Sequence, residues 1–347
     1  MAGPGAGGGG AGLRRFRRLA DLTALVTFLL IIVGGVVRVS DSGLGCGPGG
    51  SGTEGWPLCG GDVVPLVGDE NTLIEFSHRL LAGIVVALIA LLCWRAFRDL
   101  RNRNNWAFRG SIAAALIVLV QAGLGGLTVE HSLKDTLVAA HLGTAMLLLG
   151  LLLWLSFRAR SDAALEENQP VREPMRSLRP YVATAAVLLL CAIVAGGYMA
   201  GTEERGVNEV GPNIAGAHLA CGHQFPTCGG GKFLPFGNNR LTDIHLTHRV
   251  FVYAATIAIV VMLSVAFARG ARDRLLVLAA LLLLGQVLLG GMNVWLGEHA
   301  SLIVAHLTVA TLLWAAVISI AYRLAWLPSP ARSGERAPRA EASAAPA

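Results

Sequence analysis

Charge is what this sequence has least of. Only 14% of its 347 residues are Asp, Glu, Lys or Arg, against roughly 25% in a soluble globular chain. That shortage excludes an ordinary water-soluble enzyme, a coiled coil and a disordered protein. Cysteine is also scarce: six residues cannot build a disulfide scaffold, so their placement carries the information. What is abundant is apolar, 54% of the chain, with a mean hydropathy of +0.59. The chain reads as an integral membrane protein.

Eight long apolar runs are predicted to cross the bilayer, at about 20–37, 73–94, 110–129, 136–157, 181–200, 241–267, 275–296 and 301–322. Each approaches the roughly 20 residues a spanning helix needs. Their interiors lack charge and proline, so a helix there satisfies its own backbone. The first run follows Arg14, Arg15, Arg17 and Arg18, but no small-residue cleavage site follows it. It reads as a retained signal-anchor helix.

The net charge of +6 is a topology signal and predicts no nucleic-acid partner. Of 28 basic residues, 21 fall in the N-terminal arm, the loops at 95–109, 158–179 and 268–274, and the C-terminal tail. The positive-inside rule puts that side, and both termini, in the cytoplasm. Two long loops, 38–72 and 201–240, then lie outside. Composition predicts disorder in a cytoplasmic arm (1–19) and a cytoplasmic tail (323–347).

The chain also repeats itself. Gln121-Ala-Gly-Leu-Gly-Gly recurs as Gln286-Val-Leu-Leu-Gly-Gly, and Ala140-His141-Leu142 as Ala305-His306-Leu307, both 165 residues later. Ser77-His78-Arg79 matches Thr247-His248-Arg249 at an offset of 170. Trp56-Pro57-Leu58-Cys59-Gly60-Gly61 matches Phe225-Pro226-Thr227-Cys228-Gly229-Gly230 at 169. The expected fold is all-α and membrane-integral. Its eight transmembrane helices form two tandem four-helix bundles with pseudo-two-fold symmetry along the membrane normal. The halves are residues 20–160 and 180–322, joined by a cytoplasmic linker at 161–179.

Four histidines stand inside spans: His78, His141, His248 and His306. Each lies about five to seven residues below the outer end of an even-numbered helix, a depth of roughly 8–10 Å. An ionisable group at that depth marks a functional site. Haem iron takes two axial ligands, and bundle cores hold such cofactors. The natural pairs are His78 with His141 and His248 with His306. No helix carries a deep second histidine, so the two sites are side by side near the outer surface and not stacked across the membrane. Arg79 and Arg249 follow the first histidine of each pair and suit haem propionates. Gly34-Gly35, Gly125-Gly126, Gly196-Gly197 and Gly290-Gly291 lie near the same depth. They permit either close approach of a flat macrocycle or close helix packing.

Glu75 precedes His78 by one helical turn and would act as a general base or stabilise a developing cation. Its counterpart in the second half is His245. Cys46 and Cys59 share one outer loop, Cys221 and Cys228 the other. They form either two intraloop bridges or redox-active thiols. Cys93 and Cys191 read as buried small hydrophobes.

In combination these features resemble the haem A synthase family. They are Glu75-Phe-Ser-His-Arg79, Thr247-His-Arg249, His141, His306, the duplicated four-helix unit and a cysteine pair in each long outer loop. The resemblance spans about residues 20–322. It implies an oxidoreductase that turns one methyl group of haem O into a formyl group, giving haem A for haem–copper terminal oxidases. It implies a haem b cofactor on His248 and His306, and substrate haem O on His78 and His141. Glu75 would stabilise a carbocation at the methyl group before water adds. Cys46 and Cys59 would serve activity or haem transfer, and Cys221 and Cys228 structure. Implied partners are haem O, haem A, a haem O synthase, terminal oxidase assembly factors and the lipid bilayer of a bacterial plasma membrane. The competing function is a non-enzymatic two-haem b-type cytochrome, which would share the four histidines and differ at Glu75.

Overall fold

The computed structural model describes residues 8–65, 68–101, 104–204, 215–297 and 299–330. Among them, eight helices are long and apolar enough to span a membrane. They are α1 (Gly8–Val39), α2 (Glu70–Arg95), α3 (Asn105–Glu130), α4 (Asp135–Glu166), α5 (Arg179–Gly201), α6 (Arg240–Ala268), α7 (Arg274–Trp295) and α8 (Ala300–Ile320). Every predicted span falls on one of them. Two end in a π-helical turn, α2 through Ala96–Leu100 and α8 through Ala321–Trp326.

Local chemistry sets several of the starts. Asp69 caps α2 by accepting from the Thr72 amide at 2.9 Å, and Asn239 caps α6 by accepting from the Thr242 amide at 2.8 Å. The two caps are again 170 residues apart. The backbone N–H and then the hydroxyl of Thr72 hold the Asp69 carboxyl below the usual carboxylate range. Asp273 caps α7 through the Leu275 amide. A cap satisfies backbone donors that a helix start otherwise leaves without partners.

Helices α4 and α8, which carry the second histidine of each pair, are the most buried of the eight. Helix α4 packs against α1, α3, α5 and α8, while α8 packs against α1, α4, α5 and α7. Trp314 of α8 lies against Gly150 of α4 and donates its indole N–H to the Met146 carbonyl at 2.9 Å. Equivalent close approaches recur: Gly35 of α1 faces Leu307 of α8, and Gly197 of α5 faces Leu142 of α4. Large apolar side chains such as Leu116, Leu119, Leu281 and Leu284 point outward and are exposed, as lipid-facing positions require.

The start of α1 and the end of α8 lie at the same, arginine-rich end. Arg14 ion-pairs with Glu167 beyond α4. Strand β1 (Val171–Arg172) pairs antiparallel with β4 (Ser329–Pro330), joining the α4–α5 connection to the chain after α8. A second small ladder, β2 (Glu203–Glu204) with β3 (Ala215–Gly216), lies in the second long loop. The structure thereby corrects the expected arm and tail. Residues 8–19 are helical, with Leu13 fully buried and Phe16 2% exposed. The Phe16 ring meets Trp106 edge to face at 6.2 Å. Two arginine pairs in five residues hide an apolar stripe, because Leu13, Phe16 and Ala20 fall on one helical face. Ordered chain likewise extends past residue 323, and α4 runs into the linker as far as Glu166. The remainder of the arm (1–7) and of the tail (331–347) lies outside the described residues.

Replacing Phe16 with Ala should destabilise the protein by about 3 kcal/mol, as for a buried aromatic. A thermal melt of the detergent-solubilised protein reads this. An unchanged melting temperature would mean that the α1 extension is not part of the packed fold.

Candidate functional site

Each of the four intramembrane imidazoles rests on the first glycine of a repeated pair, on the preceding helix. A Cβ added at Gly34 would come 3.1 Å from Cε1 of His78, and one at Gly125 3.5 Å from Cε1 of His141. In the second half the same distances are 2.9 Å for Gly196 to His248 and 3.2 Å for Gly290 to His306. The glycines therefore make room for the imidazoles themselves, an outcome neither sequence reading anticipated. The second glycines serve packing: Gly126 lies under Trp56, and Gly291 beside Phe225 and Trp295.

His78 is close enough to His141, and His306 to His248, to interact electrostatically. All four rings are half-buried. The Nδ1 atoms of His78, His141 and His306 are buried without a hydrogen-bond partner, whereas His248 Nδ1 bonds the Ala192 carbonyl at 3.0 Å. Buried polar atoms without partners are costly, and a ligand-binding role accounts for them. Among the described residues no group of three or more His, Cys, Asp or Glu could hold a bare metal ion. Two imidazoles suit a metal that arrives with its other ligands, as haem iron does. The donor set therefore fits haem at each pair.

Glu75 is 3% exposed, so it does not face open water. It ion-pairs with Arg79, and its Oε2 accepts from the Cys46 backbone N–H at 2.8 Å. At the equivalent place, the buried His245 bonds the Ala217 carbonyl through Nδ1 at 2.9 Å. Both residues tie a long loop to the helix bearing the first histidine, with a carboxylate in one half and an imidazole in the other.

The arginines do the same work. Arg79 donates to the Leu58 carbonyl at 2.7 Å. Arg249 is buried and donates to the carbonyls of Thr227 and Gln224, both at 2.8 Å, and of Pro226 at 3.4 Å. Leu58 and Thr227 are repeat equivalents, each just before a cysteine. The cysteines are paired within each loop, Cys46 with Cys59 and Cys221 with Cys228. Cys93 and Cys191 are free and half-buried.

Two further residues belong to the site. Gln121 donates from Nε2 to the His141 main-chain carbonyl at 2.8 Å, and the Gln286 amide meets Nε2 of His306 at 3.1 Å. The signal that could have found them is the first position of the two Gln-x-x-x-Gly-Gly repeats. That spacing puts Gln and the imidazole-facing Gly on one helical face.

Fold and site together define a multi-pass membrane protein built around paired histidines at the end of the bundle that bears the bridged loops. The profile of the COX15-CtaA family, cytochrome oxidase assembly protein, matches residues 17–318. The chain belongs to that family. It is 30% identical over 282 residues to the heme A synthase of Shouchella clausii, covering 79% of this chain and 85% of the relative. It is 26% identical over 312 residues to the heme A synthase of Alkalihalophilus pseudofirmus, covering 88% and 95%. A third heme A synthase, from Halalkalibacterium halodurans, is 26% identical over 308 residues, covering 87% and 94%.

Removing the Arg249 guanidinium strands three loop carbonyls. Charge-assisted hydrogen bonds contribute roughly 1.5–3 kcal/mol each, so Arg249→Ala should destabilise the protein by at least about 3 kcal/mol. It should also open residues 217–239 to limited proteolysis. A loop as resistant as in the parent protein would refute the anchoring role.

Proposed function

We propose that this protein is a haem A synthase. The observation that carries the proposal is the doubled histidine pair, each ring seated on a glycine, in a chain of this family. The resident cofactor is haem b, held by His248 and His306 in the C-terminal half (180–322). Substrate haem O is held by His78 and His141 in the N-terminal half (20–160). Bound haem b supplies the electron-transfer chemistry. Conversion of a methyl to a formyl group takes oxygen from one water molecule and removes four protons and four electrons, the electrons going to an external electron acceptor.

The protein's own residues supply position and charge. The glycines let the imidazoles of each pair lie close to the neighbouring helix backbone. Arg79 and Arg249 hold the bridged loops down over the two sites and give each a positive rim suited to propionates. Glu75, one turn from His78, places a carboxylate in a dry setting where it stabilises positive charge developing at the substrate carbon. The Arg79 ion pair and the Cys46 N–H keep it oriented. In the second half His245 stands in its place, matching a cofactor that is not chemically altered. The arginine-rich end and both termini face the cytoplasm of a bacterial plasma membrane. Haem O comes from a haem O synthase, and haem A leaves towards terminal oxidase assembly.

Haems extracted from the purified protein and separated by chromatography should comprise haem b together with haem O or haem A. His248→Ala should remove haem b and His78→Ala should not; the reverse would invert the two halves. Glu75→Ala should keep bound haem while abolishing haem A formation. Haem A formed at the parent rate would leave Glu75 as a loop anchor only and favour a haem-carrying cytochrome.

A further inference from the structure

The arginine-rich end of the bundle, opposite the histidines, carries a cleft between the ends of α4 and α8. Phe157, Arg160 and Ser161 of α4 form one wall, and Tyr322, Arg323 and Leu327 form the other. Tyr322 and Arg323 belong to the π-helical turn that ends α8, a coil found often at functional sites. The Ser329 hydroxyl holds that turn by donating to the Arg323 carbonyl at 2.8 Å. Counted with its open mouth, the cleft measures about 290 Å³.

Three guanidinium groups meet here over two carboxylates. Arg323 pairs with Asp273 at 2.9 Å. Arg17 Nε stands 3.7 Å from Asp21 and is buried without a hydrogen bond, and Asp21 also accepts from the Ser156 hydroxyl. Arg160 is close enough to Arg17, Arg323, Asp21 and Asp273 to interact electrostatically with each. Among the described residues it forms no ion pair or hydrogen bond, and the Ser161 and Tyr322 hydroxyls have no hydrogen-bond partner. One wall thus carries a cation that repels its neighbours, and both walls carry idle donors.

We propose that this cleft binds the phosphate of an anionic phospholipid, with Arg160 as its principal cation and the Ser161 and Tyr322 hydroxyls as further donors. Arginine suits phosphate because its planar fork of N–H groups matches the phosphate oxygens. Basic pockets between spanning helices take lipid headgroups. The order of polarity along α4 favours a lipid over a free anion. Phe157 lies one turn, about 6 Å, nearer the membrane centre than Ser161, so an apolar wall continues inward from the charged one. The volume is at the lower end of small-molecule sites, roughly 300–1,000 Å³. It admits a phosphate with its glycerol and leaves the acyl chains outside. A choline headgroup would bring a second cation against Arg323, so a zwitterionic lipid is disfavoured. The bound phosphate would bridge the end of α4 to the end of α8, joining the two halves, and would stabilise the fold by mass action. None of this depends on which haem occupies either histidine pair.

The test uses the full-length protein, purified in an uncharged detergent and depleted of lipid. Native mass spectrometry reads bound lipid during titration with phosphatidylglycerol or phosphatidylcholine, and a thermal melt reads stabilisation. Phosphatidylglycerol should bind more tightly than phosphatidylcholine and raise the melting temperature. Arg160→Ala should weaken phosphatidylglycerol binding about 10-fold or more, as for loss of a charge-assisted hydrogen bond, and remove the rise. Arg98→Ala takes a charge from the same end but outside the cleft, and should bind as the parent does. Equal binding of the two lipids, or parent affinity in Arg160→Ala, overturns the proposal. So does an equal loss in Arg98→Ala and Arg160→Ala, since diffuse surface charge would then be responsible. Displacement of the lipid by inorganic phosphate would make this a site for soluble anions and refute it as well. Should Arg160→Ala fail to fold, Tyr322→Phe, which lacks only a hydroxyl, decides: it should weaken phosphatidylglycerol binding, and parent affinity would refute the site.

Discussion

Everything in this structure answers to one constraint: an imidazole placed below the membrane surface must have somewhere to lie and something to bind. Water is not there to satisfy it, and hydrocarbon offers nothing. The protein's answer is a glycine on the adjacent helix at each of the four positions, so close that a methyl group at Gly196 would stand 2.9 Å from the His248 ring. The helix order follows from this. Odd-numbered helices supply the glycine and even-numbered helices the histidine, and of the latter α4 and α8 are the most buried.

The long bridged loops are the second consequence. A polar site near the end of a bundle needs a cover, and loops of some thirty residues do not cover anything unless they are tied down. Here the ties come from the site helices themselves. One turn before the first histidine, Glu75 or His245 reaches a loop backbone; one residue after it, Arg79 or Arg249 reaches the carbonyl preceding a bridged cysteine. Loop position and histidine position are therefore set by the same helical turn. Buried guanidinium and carboxylate groups are expensive to desolvate, and multiple hydrogen bonds offset that cost.

Within this duplicated frame, function lives in the departures from symmetry. A carboxylate faces one loop and an imidazole the other. One glutamine holds a ring and the other a main chain. The frame gives two comparable pairs of imidazoles, and these few differences make their surroundings chemically unlike.

Much of this was legible in the sequence. Long uncharged runs dictate spanning helices by length and hydropathy alone, and matches at His, Arg, Cys, Pro and Gly expose the repeat. Histidine depth follows from counting along a helix. Partner choice was not legible. A bare Arg beside a His points to a propionate; that Arg79 also gives one N–H to the Leu58 carbonyl is visible only in the folded chain. The paired glycines left two readings open; the second glycine of a pair packs against a neighbouring helix at Gly35 and Gly197, as one reading had it, while the first makes room for an imidazole. The helical arm at residues 8–19 was masked by its arginines. Spans and repeat come from local composition and chain spacing, which the sequence carries entirely. Which face of each helix turns inward is another matter, since lipid and protein interior are both apolar and hydropathy does not distinguish them. Only packing between residues far apart in the chain decided that His78 lies on Gly34, that Glu75 holds Cys46, and that Gln286, unlike Gln121, meets an imidazole.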